Sequence, residues 1–248
     1  MSDATPVVVM PPLGRALTYI WHLLFDLADE VPGVWCLIGG QMAALHGLER
    51  GRIDARPSAD GDVLADIRAD PTALHKISNF LISRSLEPDP GPDGILHRFK
   101  GSVDSHEVRV DVLAPDHVGE RADLTTRPPG RTVQVPGGTQ ALDRSEYVLV
   151  QVEDRTGKIQ RPSLLAAILA KAEALNLPGS PQRHLHDLAF LLALMPDPVV
   201  ARSSLTAKER TKLRACPLLD RSHRAWRSLP EADAYAGYAV LKLLTLQP

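Results

Sequence analysis

The chain has little cysteine, no long apolar run and no marked excess of charge of either sign. Its two cysteines, Cys36 and Cys216, lie far apart in sequence with no histidine at ligand spacing. A disulfide framework is therefore excluded, and a zinc site lacks a donor set. Cys36 sits inside the apolar run VWCLIGG and is expected to be a buried, reduced thiol. No uninterrupted apolar run approaches the roughly 18 residues that mark a membrane-crossing helix. The opening MSDATPVVVMPPLG has no basic segment ahead of its apolar stretch, where a secretory leader would carry one. These absences lead to the expectation of a cytoplasmic protein with no membrane partner. The formal net charge of -2 speaks neither for nor against nucleic acid, because the distribution of charge matters more than its sum. There is no internal repeat and no low-complexity segment.

What is present is an ordinary globular composition, and 248 residues suffice for one large domain or two small ones. Residues 14–30 space Leu17, Ile20, Leu23, Leu24 and Leu27 at helical intervals, which predicts an opening helix. GVWCLI reads as a short buried strand, GGQMAALHGLE as a glycine turn entering a helix, and RGRIDARPSA as a loop. DGDVLADI reads as a second strand. DPTALHKISNFLISRSLE reads as a helix started by Asp70 with Pro71 at its first position. After the turn cluster PDPGPDG, ILHRFKG and HEVRVDVLAP are expected to form a hairpin. In its second strand Val108, Val110 and Val112 alternate with Arg109 and Asp111, one face apolar and the other charged. RTVQVPGG and YVLVQVE are further strand candidates. Beyond EDRTGKIQRP the pattern turns helical: SLLAAILAKAEAL, QRHLHDLAFLLALM, TAKERTKLRA and EADAYAGYAVLKLLTL. The expected organisation is a mixed α/β half over 1–153 and a helical half over 154–248.

One short stretch, RPSADGDVLADI, poses a chemical question. Strand side chains alternate faces, so Asp60 and Asp62 point the same way. Two carboxylates so placed repel each other and cost stability unless a cation lies between them. A D-x-D by itself is more often the mark of a solvated turn before a strand. Its context is what points to chemistry: strand, Gly39-Gly40, helix, a strand with Asp60 and Asp62, then a later strand with Asp111. A glycine turn opening a helix offers backbone N–H groups to a phosphate, aided by the helix dipole. Three carboxylates on adjacent strands can hold two Mg²⁺ ions about 3.5–4 Å apart, a pair that activates an attacking hydroxyl and stabilises a leaving pyrophosphate.

IGGQMAALHG, RPSADGDV and VRVDVL together resemble the polymerase-β-like nucleotidyltransferase superfamily, and most closely the AbiEii/MenT-type nucleotidyltransferase toxins of toxin–antitoxin and abortive-infection systems. The resemblance covers roughly residues 35–195. It implies an α+β fold, a nucleotidyltransferase core with a mixed β-sheet flanked by helices, followed by a C-terminal helical domain. It implies that Gly39 and Gly40 cradle the triphosphate, with Arg56 and Ser58 near the nucleotide. It makes Asp60, Asp62 and Asp111 the Mg²⁺ ligands, with Asp111 also the base. Lys171 would neutralise phosphate charge and Asp187 would order the helical half. Three positions depart from the pattern: Gln41 stands where Ser or Thr is usual, Gly61 where an aliphatic residue is usual, and His184 where relatives carry another aspartate.

The resemblance further implies an NTP substrate and an RNA acceptor, first of all the 3′ end of tRNA, and a possible cognate antitoxin. Between Arg202 and Arg227 eight basic residues stand against two acidic ones, and a helix through Lys208, Arg210, Lys212 and Arg214 is the expected RNA contact. Two other readings stay open: transfer of AMP to a protein side chain, that of an antitoxin included, and a non-catalytic nucleotide- or partner-binding module.

Overall fold

The computed structural model describes residues 6–53, 55, 58–177 and 181–246. The chain divides into two compact units, one of residues 1–42 and 57–162, the other of residues 43–56 and 163–248.

The first unit contains β1 (Val7–Val9), α1 (Arg15–Glu30), β2 (Trp35–Ile38) and the first turn of α2 (Gly39–Leu48), the division falling within that helix. It continues with β3 (Asp60–Ala65), α3 (Ala73–Ser83), β4 (Glu87–Asp89), β5 (Arg98–Val103) and β6 (His106–Pro115). Then come β7 (Thr125–Arg127), β8 (Gly130–Arg131), β9 (Gln134–Val135), α4 (Gly138–Asp143), β10 (Ser145–Val152) and β11 (Arg155–Pro162). The main sheet runs β2-β3-β6-β5-β4, with β9 on the end of β6. It is mixed, because β3 and β6 are parallel while β2–β3, β6–β5 and β5–β4 are antiparallel.

Alternation gives this sheet one apolar face, with Val108, Val110, Val112 and Phe99 all buried. Helix α1 lies on that face: a Cβ on Gly61 would meet Ile20 and Val110. Helix α3 lies beside α1, the Tyr19 hydroxyl donating to the Arg84 carbonyl at 3.2 Å. The α1 residues Ile20, Leu23, Leu24 and Leu27 are buried as their spacing predicts. The expected hairpin is β5–β6, turning through Asp104 and Ser105 at φ 47° and 66°, as a two-residue hairpin turn requires. Cys36 is wholly buried, and burial pushes its thiol far above the ordinary value. Cys216 is also a free, buried thiol.

The second unit is helical: α5 (Leu164–Glu173), α6 (Pro181–Ala193), α7 (Pro198–Ser203), α8 (Ala207–Arg214) and α9 (Glu231–Thr245). Its core gathers Ile168, Leu188, Leu191, Leu192, Leu213, Leu241 and Leu244. The expected α+β architecture, a mixed sheet flanked by helices with a helical C-terminal region, is the observed one. Among the described residues no helix is long and apolar enough to cross a membrane.

Several elements differ from expectation. EDRTGKIQRP, to which the sequence assigns no element, is largely strand: Arg155–Pro162 is β11, paired along its length with β10, and Glu153 and Asp154 form the turn between them. The first unit therefore runs on to Pro162 rather than stopping at 153, and residues 43–56 group with the helices. Helix α3 begins three residues after Asp70, whose carboxylate instead closes a turn by accepting from the backbone and hydroxyl of Thr72 at 2.8 and 2.7 Å. Helices α4 and α7 are short additions, α7 capped by Asp197 accepting from Val199 and Val200.

Candidate functional site

The charged face of the main sheet is built in rows by strand register. Asp62 on β3 lies beside Asp111 on β6, and Asp111 lies beside Arg98 on β5. One row along, Asp60 lies beside Arg109, and Arg109 beside Lys100. Side chains in register across neighbouring strands share a face, so the fold brings Asp60, Asp62 and Asp111 to one side of the sheet as expected.

It also brings cations there. Both Asp111 oxygens are held by Arg98, Nε to Oδ1 at 2.8 Å and Nη2 to Oδ2 at 2.7 Å. This bond to Asp111 is the main reason the Arg98 guanidinium is held above its ordinary value. Arg109 stands 3.8 Å from Asp60 and also pairs with Glu107, while Lys100 pairs with Asp89 at 2.8 Å. At Asp111 and Asp60 the repulsion implied by clustered carboxylates is thus answered within the sheet by Arg98 and Arg109.

Asp62 is placed by a glycine. Gly39, the first residue of α2, has φ +74°, and a Cβ there would lie 1.7 Å from Asp62 Oδ2. Only glycine admits that carboxylate at the head of the helix. Gln41, the departure from Ser or Thr, has a role of its own. It is buried, and its Nε2 donates to the Ser58 carbonyl at 2.5 Å, tying the loop before β3 to the first turn of α2. Gly40 follows Gly39 in that same turn. Arg56 lies outside the described residues.

Three carboxylates are oxygen-only donors of the kind Mg²⁺ takes, so the donor chemistry suits that ion. As the side chains are disposed, Asp111 is committed to Arg98, and among the described residues no group of three His, Cys, Asp or Glu is arranged to hold a metal. Binding of an ion by all three carboxylates needs Asp111 to exchange Arg98 for metal.

In the helical unit, Lys171 on α5 and Asp187 on α6 form an ion pair. Lys171 Nζ donates to Asp187 Oδ2 at 2.7 Å, with side chains 7% and 2% exposed. The proposed RNA-contact helix is α8, started by a reciprocal Thr206–Glu209 capping box. Three of its four basic residues are engaged within the unit. Arg210 donates to the Leu205 carbonyl at 2.8 Å, Arg214 to the Thr245 and Leu246 carbonyls at 2.8 and 3.2 Å, and Lys212 pairs with Glu173. Lys208 is exposed.

Sequence reasoning missed Arg98 and the structural use of Gln41. The signal for Arg98 was present in the hairpin itself. With its turn fixed at residues 104–105, counting back pairs residue 98 with residue 111.

No protein-family model matches the chain, and no curated protein matches it. Its structure is similar to the crystal structure of an antigenic nucleotidyltransferase-like protein from Paracoccidioides brasiliensis, with a TM-score of 0.55 and 14% identity over 91% of this chain and 95% of that one. That likeness is one of fold.

Proposed function

We propose that the chain is a nucleotidyltransferase, taking an NTP, joining its nucleotide to an acceptor hydroxyl and releasing pyrophosphate. The observation that carries this reading is the convergence of Asp60, Asp62 and Asp111 on one sheet face, with Asp62 set against Gly39 at the head of α2. In this reading Asp60 and Asp62 hold Mg²⁺, and Asp111 joins them when Arg98 is displaced. Bound Mg²⁺ supplies Lewis-acid chemistry, lowering the pKa of the attacking hydroxyl and neutralising charge on the leaving group. Asp111 takes the proton of the acceptor hydroxyl on its carboxylate. The N–H groups of the first turn of α2, at Gly39 and Gly40, bind phosphate with the aid of the helix dipole. Ser58 lies beside that turn, and Lys171 is assigned to phosphate charge.

The acceptor we assign is RNA, the tRNA 3′ end first, which makes the chain a growth-inhibiting toxin answered by an antitoxin. The test is incubation with each labelled NTP and total tRNA, with and without Mg²⁺. Label in RNA that depends on Mg²⁺ supports the reading, and label in protein moves it to AMP transfer. The engagement of Asp111 by Arg98 favours a second reading, a nucleotide-binding module without catalysis. Binding of NTP with no label transferred to either acceptor selects it.

A further inference from the structure

The helical unit holds a cavity of about 320 Å³ whose walls include Arg221, Trp226, Arg227, Leu229, Glu231 and Tyr235. Its base is rigid. Trp226 is buried, its Nε1 donates to the Leu218 carbonyl at 3.0 Å, and its ring stands edge-on to Tyr238 with centroids 6.3 Å apart. Gly237 on α9 lets the helix close on that ring, since a Cβ there would lie 2.8 Å from Trp226.

Its rim is different in kind. Tyr235 is 60% exposed, and the Arg221 guanidinium stands 5.2 Å from its ring centroid. Arg227 is oriented by donating to the Ser222 carbonyl at 3.2 Å. Among the described residues neither arginine pairs with a carboxylate, in contrast to Lys212 on α8. An exposed aromatic face layered with a guanidinium, beside a second cation, offers a nucleobase a stacking surface and its phosphate a charge partner. The volume lies at the lower end for ligand sites, the scale of one nucleotide.

We propose that this cavity binds one nucleotide of a single-stranded nucleic acid, the base joining the Tyr235–Arg221 stack and the phosphate resting on Arg227. The inference moves nucleic-acid contact from α8 to the 221–235 rim, and it does not depend on chemistry at Asp60 and Asp62. An acidic polypeptide would use the two arginines but has no need of the tyrosine face.

The test is fluorescence anisotropy of a short fluorescein-labelled oligouridine RNA titrated with the full chain, folding being checked by circular dichroism. Tyr235→Ala should weaken binding about tenfold, the loss of one stacked base, while Tyr235→Phe keeps wild-type affinity. Arg227→Gln should weaken binding and lower the salt slope by roughly 0.7, one phosphate contact on a single strand. The proposal is overturned if the wild type does not bind, or if Tyr235→Ala and Arg227→Gln both bind as wild type. It is also overturned if Arg227→Gln weakens binding while Tyr235→Ala does not, which would mark a general anion surface suited to an acidic protein.

Discussion

Arg98 holds Asp111 by both carboxylate oxygens, so the third acid of the candidate site is committed to an ion pair one strand away. Asp62 lies in register on the other side of Asp111, and removing Arg98 would leave the Asp111 carboxylate facing that neighbour without its arginine. Arg98→Gln should therefore cost about 1–3 kcal/mol without divalent metal, less than a fully buried pair because the arginine is a third exposed. Added Mg²⁺ should then raise the melting temperature of Arg98→Gln more than that of the wild type. Equal Mg²⁺-induced shifts in the two proteins would remove Asp111 from the metal site.

The contact of Gly39 with Asp62 gives a second expectation, about geometry rather than charge. Gly39→Ala places a Cβ at φ +74°, which costs about 1–2 kcal/mol by itself, and drives it into the Asp62 carboxylate. In the Asp62→Ala background the collision is gone and only the backbone cost remains. A double-mutant cycle of urea unfolding should show a coupling of about 1 kcal/mol or more between the two positions. Additive effects would mean that the carboxylate swings aside without cost.

Asp60→Ala separates a chemical role from a structural one. The carboxylate has a 3.8 Å contact to Arg109 and lies in the field of Arg98 as well as of its acidic neighbours, so its loss should change stability little. Transfer of labelled nucleotide should be abolished. A variant that transfers normally in Mg²⁺ takes Asp60 out of the site.

The sheet face with Asp60, Asp62 and Asp111 was legible because alternation within a strand is a local rule, and the alternating valines of β6 declare which side is apolar. What local rules do not contain is register between strands. Arg98 reaches Asp111 only once the hairpin turn at Asp104–Ser105 is known. Strand β11 carries no strand signal in the sequence because Thr156, Gly157 and Lys158 mask its period. Only pairing with Val148 and Val150 on β10 reveals Gly157 and Ile159 as inward positions. The α8 cations carried a helix signal and a charge signal, but Arg210 turns back to the Leu205 carbonyl just ahead of the helix, and the Thr245 and Leu246 carbonyls that occupy Arg214 come from the end of α9, which composition cannot bring to α8.

Asp116 links acid sensitivity to the junction of β6 and α4. Burial acts to raise its carboxyl, but N–H donors from Thr139 at 2.9 Å and Gly137 at 2.7 Å, with the Thr139 hydroxyl, outweigh it and hold the group below the ordinary range. A folded value below the unfolded one of about 3.9 contributes stability that is present above that pH and lost as pH falls through the folded value. Asp116→Asn should thus be less stable by about 1 kcal/mol at pH 7. The gap should close below about pH 4. Melting curves of both proteins across that window check it, and a gap independent of pH would mean that charge plays no part in capping α4.

The last expectation concerns Lys171 and Asp187, and it separates a strut from a phosphate contact. The two side chains are almost wholly buried and meet at 2.7 Å between α5 and α6. Breaking such a pair from one side leaves a buried charge without its counter-ion, so Lys171→Met should destabilise the protein by about 3–5 kcal/mol. Replacing both partners, Lys171→Met with Asp187→Leu, removes both charges from the interior and should recover much of that loss. The recovery should be incomplete, because Asp187 has interactions beyond Lys171. A lysine that serves only packing would return nucleotide affinity together with stability in the double variant. A lysine that also meets the triphosphate would not, since the methionine restores volume but carries no charge. Urea unfolding and titration with a fluorescent NTP analogue read the two quantities separately. Stability restored with weakened nucleotide binding supports the assignment of Lys171 to phosphate, and wild-type nucleotide affinity in the double variant makes the pair a strut alone.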